Sequence, residues 1–190
     1  MSSPSPAPAS IPVASTLLAS PPPMAVYLGK KMSEICARSI STKKNARGEP
    51  ENQCAHFVSH VMGFDGGVTC RNFSDVDKAM AGMGAMLRVN ELFNRCPEVG
   101  YWEKRSRGAS ALLIFVTVSH NMGHDCVRLN MGNNPSKHVG IFVDGKVWHH
   151  GPHKVEMDTE SRFITNLTFQ YDRYRVGAST VEFYYGTFPV

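Results

Sequence analysis

The chain has 190 residues, of which 42% are hydrophobic, and a formal net charge of +4 at pH 7. This length and composition are typical of one soluble domain with a sizeable core. No stretch reaches the roughly 18 apolar residues of a membrane-spanning helix, so a helical membrane protein is excluded. The positive charge suits approach to an anionic polymer such as a bacterial wall. Basic and aromatic residues do not interleave as they do in nucleic-acid interfaces, and no nucleic-acid partner is expected.

Residues 1–23 differ in composition from the rest of the chain. They are rich in Pro, Ser and Ala and carry no charged side chain. Such a segment cannot bury enough apolar surface to order itself, which predicts a disordered tail before a single domain over residues 24–190. Its apolar run, residues 11–19, is interrupted by Pro12 and lacks the basic region of a secretory signal. We therefore expect export by a specialised secretion system or release by lysis.

Helical patterns dominate the first part of the domain. Residues 24–39 carry a partial apolar stripe and predict an amphipathic helix. A polar loop over residues 42–50 leads into a second helical pattern. Residues 74–77 then open a third helix in the manner of a capping box.

The second helical pattern, residues 50–63, places a cysteine at its start. Apolar side chains recur there at helical spacing, Pro50 suits the first turn, and Gly63 suits a C-terminal cap. Cys54 therefore falls in the first turn. Backbone N–H groups without helical partners and the positive end of the helix dipole stabilise a thiolate at that place. Cys54 is the candidate nucleophile.

Strand patterns dominate from residue 99 onward. Short runs rich in β-branched and aromatic residues predict strands over residues 99–103, 111–118, 138–143, 146–149 and 181–187. Residues 159–169 fit either a helix or a strand. Helices followed by an antiparallel sheet predict an α+β fold.

Two of these strands predict a hairpin that brings histidines together. Asp144 and Gly145 lie between two apolar runs, which is the strongest short hairpin signal and predicts a type I′ turn. The resulting register makes His138 and His149 diagonal neighbours on one face, about 7 Å apart at the backbone. His150 points to the opposite face, and a one-residue bulge would exchange it with His149.

These residues together suggest thiol chemistry. A nucleophilic cysteine needs an imidazole to take its proton and a second group to hold that imidazole in the right tautomer. Cys54 as nucleophile, His138 as base and His149 as orienting residue meet this requirement. His150 is the alternative to His149.

The order Cys…His…His, with the cysteine at a helix start and the histidines on successive strands, resembles the NlpC-type cell-wall cysteine peptidases of the papain-like superfamily. Residues 108–116 look like the family's strand before the catalytic histidine. The segment Lys137-His138-Val139-Gly140-Ile141-Phe142 looks like its histidine strand. The resemblance covers about residues 50–150 and implies N-terminal helices packed on a small antiparallel sheet.

The chain departs from this family around the cysteine. Gln53 precedes Cys54, and Ala55 and His56 follow, where the family has an acidic residue before the cysteine and Ser-Gly after it. The family's upstream tyrosine is also missing. Oxyanion stabilisation is therefore expected from the Cys54 N–H together with Gln53 or Asn52. The segment is also similar to the lecithin:retinol acyltransferase branch, but that branch places its histidine before its cysteine.

The resemblance implies a cysteine peptidase or amidase that cleaves amide bonds of peptidoglycan stem peptides. Without a standard signal, such an enzyme is expected to be an antibacterial effector or a lysin. Its expected partners are peptidoglycan or its peptide fragments and an immunity-type inhibitor protein. Two other readings stay open: an acyltransferase or deamidase of the same fold acting on an intracellular substrate, and a non-enzymatic binding module.

Two histidine groups have metal-type spacing. His56 and His60 share a helix face at a spacing that can bind zinc. No third ligand is evident for them, so a pair without metal is expected. His120, His124 and Cys126 form the alternative metal group. We expect no metal and no other cofactor.

The five cysteines are scattered along the chain, and their odd number favours reduced thiols. One bridge among Cys70, Cys96 and Cys126 stays open.

Overall fold

The structure is a computed structural model that describes residues 23–46, 48, 51, 53–75, 84–124, 128–134 and 136–189. Its α-helices are, in chain order, α1 (Met32–Ile35), α2 (Cys54–Met62), α3 (Val89–Arg95) and α4 (Glu160–Asp172). Its strands are β1 (Val99–Tyr101), β2 (Ala111–Val118), β3 (Met122–His124), β4 (Leu129–Met131), β5 (Lys137–Val143), β6 (Lys146–His150), β7 (Val155–Thr159) and β8 (Val181–Gly186). No helix in these described ranges is both long and apolar enough to cross a membrane.

Six strands form one antiparallel sheet in the order β1-β8-β2-β5-β6-β7, and β3 pairs with β4 apart from it. Helix α2 packs against β5 and β6 on one face, and α4 covers the other face. The central strand β2 is buried at every position because both faces are covered. This explains its continuous apolar sequence, which does not alternate with polar residues.

The predicted α+β class with an antiparallel sheet is confirmed. The strand predicted over residues 111–118 matches β2 at both ends, and β1, β5, β6 and β8 agree with their predictions to within two residues. The ambiguous segment 159–169 is helical. Thr159 Oγ1 accepts a hydrogen bond from the Arg162 N–H at its start, and Phe163, Leu167 and Tyr171 bury one face at helical spacing.

The single helix predicted over residues 24–39 is wrong. The chain forms a 3₁₀ helix at Met24–Tyr27, then turns at Gly29, whose φ is 79°, and resumes as the short α1. Backbone hydrogen bonds of Gly29 and Lys30 to Val155 of β7 hold this turn. Met24, Met32 and Cys36 are thus buried in the core without a continuous helix, whereas Val26 is exposed. The predicted tail over residues 1–22 and residues 76–83 of the third predicted helix lie outside the described residues.

The hairpin register is the one that the sequence predicts. Val143 pairs with Lys146 and Ile141 with Trp148. Asp144 has a φ of 47° and Gly145 a φ of 80°, as a type I′ turn requires. No bulge shifts the strands, so the bulge that would exchange His149 with His150 is absent from this hairpin.

The close packing around Gly140 can be tested by substitution. A Cβ at this position would lie 2.7 Å from Val147 Cγ1 and 3.1 Å from the Trp148 carbonyl oxygen. We predict that Gly140→Ala lowers the free energy of unfolding by about 1–3 kcal/mol, because the added methyl group overpacks the hairpin. Urea denaturation measures the loss.

Gly108→Ala is the matched control for Gly140→Ala. A Cβ at Gly108 would meet only Ser106 Oγ, at 3.9 Å. Equal stabilities of the two variants would contradict the packing assigned to Gly140.

Candidate active site

A chain of hydrogen bonds joins two histidines and an aspartate near one end of the sheet. His138 Nε2 lies 3.1 Å from His149 Nδ1, and His149 Nε2 lies 3.3 Å from Asp158 Oδ2. Three adjacent strands, β5, β6 and β7, supply one residue each. Phe163 of α4 covers both imidazoles, with ring centroids 6.1 Å from His138 and 5.0 Å from His149. The predicted contact between His138 and His149 is therefore present.

The chain of hydrogen bonds determines the tautomers. An ionised Asp158 can only accept, so His149 Nε2 donates the hydrogen bond to it. Nδ1 of a neutral His149 is then an acceptor, and His138 Nε2 donates to it. This leaves the basic lone pair of His138 on Nδ1. The order matches what a general base needs, since one nitrogen is held and the other is ready to take a proton.

Burial sets the protonation of the imidazoles. It lowers the pKa of His138 well below the usual range, and the neighbouring His149 and His150 lower it further. Burial also lowers the pKa of His149, although its hydrogen bond to Asp158 opposes the shift. Both rings are therefore neutral near pH 7, the form in which an imidazole can accept a proton.

A cleft of about 590 Å³ opens onto the two histidines. Ser136 and Pro152 contribute to its walls, and the last turn of α4 contributes Tyr171. Asp158 also lines this cleft. Asp158 was not among the predicted site residues, because β7 is a short, half-exposed edge strand that was not predicted. The alternation of apolar and polar residues over 155–159 is the signal that could have found it.

Cys54 is the first residue of α2, as predicted, and its side chain is buried. It belongs to the same core cluster as Val139 and Ile141 of β5, on the face of the sheet that α2 covers. His138 alternates with these residues and contacts Phe163 on the face that α4 covers. The structure thus assembles the two histidines of the predicted triad but keeps Cys54 with α2 on the other face.

Cys54 influences the pKa values of two other residues, Tyr171 and Lys137. Burial raises the pKa of Tyr171, and the Cys54 thiol adds to this increase. Burial lowers the pKa of Lys137, and Cys54 opposes that shift. Tyr171 lines the cleft and Lys137 directly precedes His138, so a charge on Cys54 acts electrostatically on groups beside the histidines.

The Gln53 side chain, one of the two predicted oxyanion donors, makes two hydrogen bonds within the protein. Its Oε1 lies 2.8 Å from His56 Nδ1, and its Nε2 donates a hydrogen bond of 2.9 Å to the Ile40 carbonyl oxygen. These two hydrogen bonds fix the orientation of the Gln53 side-chain amide, whose oxygen faces His56. Asn52, the other predicted donor, lies outside the described residues.

His150 points to the α2 face, opposite to His149. Its Nδ1 donates a hydrogen bond of 2.7 Å to the Gly151 carbonyl oxygen. Among the described residues its buried Nε2 has no hydrogen-bond partner. Burial lowers the pKa of His150, and the hydrogen bond to Gly151 partly offsets this.

His56 and His60 have two further potential ligands nearby, contrary to the expectation of an isolated pair. Cys36 follows α1, and Cys70 lies in the segment after α2. The four potential ligand atoms all lie within 4.8 Å of one another. These residues are spread over positions 36–70, so no short sequence motif predicts the group. Cys36, Cys54, Cys70 and Cys96 form no disulfide bond.

Two of the three residues of the alternative metal group, His120 and His124, lie in the described part of the chain. His120 and His124 are exposed, and His120 Nε2 lies 3.1 Å from the Asn134 side-chain nitrogen. Cys126 lies outside the described residues.

Comparison with known family models, curated proteins and solved structures finds no match to this chain. The resemblance to the NlpC-type peptidases therefore rests on the sequence motifs alone, and the function has to be argued from the site.

The buried histidines generate a pH prediction. The folded-state pKa values of His138 and His149 lie below the unfolded value of about 6.5. The unfolded chain therefore binds more protons in this range, and the free energy of unfolding falls as the pH drops below about 6.5. Each histidine contributes at most about 1.4 kcal/mol per pH unit. Urea unfolding between about pH 7.5 and about pH 5 measures this slope.

A variant isolates the contribution of one ring. His138→Asn reduces the slope because it removes one proton acceptor of the unfolded chain. Gly108→Ala, which removes no titratable group, leaves the slope unchanged. An equal slope in His138→Asn and the wild type would contradict the assignment.

Proposed function

We propose that this protein is a cysteine hydrolase that cleaves an amide bond, with Cys54 as nucleophile and His138 as general base. The observation that carries the proposal is the hydrogen-bonded chain from His138 through His149 to Asp158 at a cleft. A neutral imidazole whose far nitrogen is held by a second polar group is the acid–base unit of triad hydrolases. Here a histidine and an aspartate share the holding role.

Two observations support Cys54 as the nucleophile. It lies in the first turn of the nine-residue α2, where free N–H groups and the helix dipole favour an anion. It also contributes electrostatically to the raised pKa of Tyr171, which lines the cleft. The reaction requires the sulfur to come within hydrogen-bond distance of His138 Nδ1. The proposal therefore includes a shift of the first turn of α2 when substrate enters, since catalytic hydrogen bonds often tighten only in the complex.

The proposed reaction proceeds in two steps. The Cys54 sulfur attacks the amide carbonyl carbon, the carbon–nitrogen bond breaks, and His138 passes the thiol proton to the leaving amine. Water then attacks the thioester while His138 accepts its proton. The carboxylic acid leaves and the thiol takes a proton back. His149 and Asp158 keep His138 in the required tautomer throughout.

The proposed substrate is a peptide of the bacterial wall, and the proposed role is that of an antibacterial effector or lysin. The net charge of +4 favours an anionic polymer. Asn166 and Gln170 line the cleft and offer amide groups to a peptide backbone. These groups suit hydrogen bonding to extended peptide better than binding of an apolar ligand.

Turnover of purified peptidoglycan, followed by mass spectrometry of released fragments, tests this function. We predict that the wild type releases peptide fragments and that Cys54→Ala releases none. His138→Ala loses about 10²- to 10⁴-fold in rate, the usual contribution of a positioned acid–base group. His120→Ala, which changes an exposed histidine, retains full turnover.

Each outcome decides a separate part of the proposal. A folded wild type without turnover rules out the wall substrate. Undiminished turnover by Cys54→Ala rules out the nucleophile. Conversion of a side-chain amide to an acid without chain cleavage identifies a deamidase instead.

A further inference from the structure

We propose that Cys36, His56, His60 and Cys70 bind one zinc ion as a structural site. The proposal rests on the four ligand atoms, which all lie within 4.8 Å of one another. It is independent of the proposed hydrolase reaction. Neither Cys54 nor His138 belongs to this group.

The donor set determines the metal. Two thiolates and two imidazoles form a common ligand set of structural zinc, which prefers tetrahedral sulfur and nitrogen coordination. Four protein ligands fill the tetrahedron and leave no position for a reacting water. Ligand bonds of about 2.3 Å to sulfur and about 2.0 Å to nitrogen place neighbouring donors roughly 3.3–3.8 Å apart. The distance of 3.8 Å between His60 Nε2 and Cys70 Sγ already falls at this value.

His56 is oriented as a metal ligand would be. Its Nδ1 lies 2.8 Å from Gln53 Oε1, so the ring donates its proton there and Nε2 carries the free lone pair. Within the described residues this buried Nε2 has no hydrogen-bond partner. A buried acceptor without a partner costs free energy, and a zinc ion would satisfy it. Metal-binding histidines are usually held at their second nitrogen in this manner.

The remaining ligands lie close together beside a cleft of about 730 Å³, which Cys36, His60 and Cys70 line. His60 is half-buried. The sulfur-bearing side chains of Cys36 and Cys70 are 5% and 1% exposed. His56 and His60 lie one helical turn apart, and their ring centroids are 4.9 Å apart. The four residues therefore converge from three segments: the end of α1, helix α2 and the segment after α2.

The site has a structural consequence for α2. One zinc ion would link the segment that contains Cys36 and the segment that contains Cys70 to the polar side of α2. His56 is only two residues from Cys54, so the ion would also fix the first turn of the helix. Loss of the metal is expected to loosen the position of Cys54.

Zinc content of the full chain tests the proposal directly. The protein is expressed with reductant, purified without chelator and measured by inductively coupled plasma and native mass spectrometry. The expected result is one zinc ion per chain, with X-ray absorption showing two sulfur and two nitrogen neighbours at about 2.3 Å and about 2.0 Å. A chain that stays metal-free after zinc addition overturns the proposal. A Cys36–Cys70 disulfide in the reduced preparation overturns it as well.

Matched variants assign the ligands. Cys70→Ser and His60→Gln lose the bound zinc, whereas Cys96→Ser and His120→Gln retain it. Gln53→Leu keeps all four ligands and weakens zinc binding by about 10- to 100-fold in a chelator competition, as loss of an orienting partner does.

If the ligand variants do not fold, the wild-type protein loaded with cobalt still tests the proposal. Tetrahedral cobalt bound by two thiolates gives an intense visible spectrum with sulfur-to-metal charge transfer. A spectrum of octahedral, sulfur-free cobalt overturns the proposal.

Discussion

Helix α2 is almost wholly inside the protein, and this burial is the constraint on which the rest of the structure depends. Seven of its nine residues are buried, including the polar His56 and Ser59. A helix covered all round has to satisfy its polar groups within the protein. Its apolar side packs on β5 and β6, and its polar side meets Cys36, Cys70 and Gln53. A metal ion bound at that polar side would satisfy these polar groups and offset the free-energy cost of burying them.

The sheet separates two chemical environments. On the α2 face lie four thiol and imidazole groups suited to a metal, together with Cys54. On the α4 face lies the chain from His138 to Asp158, beneath Phe163. The two environments meet where β5 begins, near Lys137 and the end of α4. The proposed catalysis therefore requires the first turn of α2 to shift, because that turn would have to bring the thiol around the end of the sheet.

The sequence predicted those features of the structure that depend on local patterns of residues. The Asp-Gly turn specified the hairpin register, and thereby the contact between His138 and His149. The sequence predictions did not include Asp158, which lies on a short, half-exposed edge strand. They also missed Cys36 and Cys70, because the chain brings them to His56 only through tertiary packing. The predicted first helix failed for a similar reason, since backbone bonds to Val155 divert the chain at Gly29.

The central claim is that Cys54 and His138 work as a pair, and the rate of Cys54 alkylation tests it most directly. Iodoacetamide labelling near neutral pH, with peptide mapping by mass spectrometry, measures this rate in the wild type, His138→Ala and His120→Ala. The account predicts that His138→Ala slows labelling of Cys54 by at least about tenfold, because the thiol loses its base, while His120→Ala has no effect. Equal rates in all three proteins would contradict the pairing.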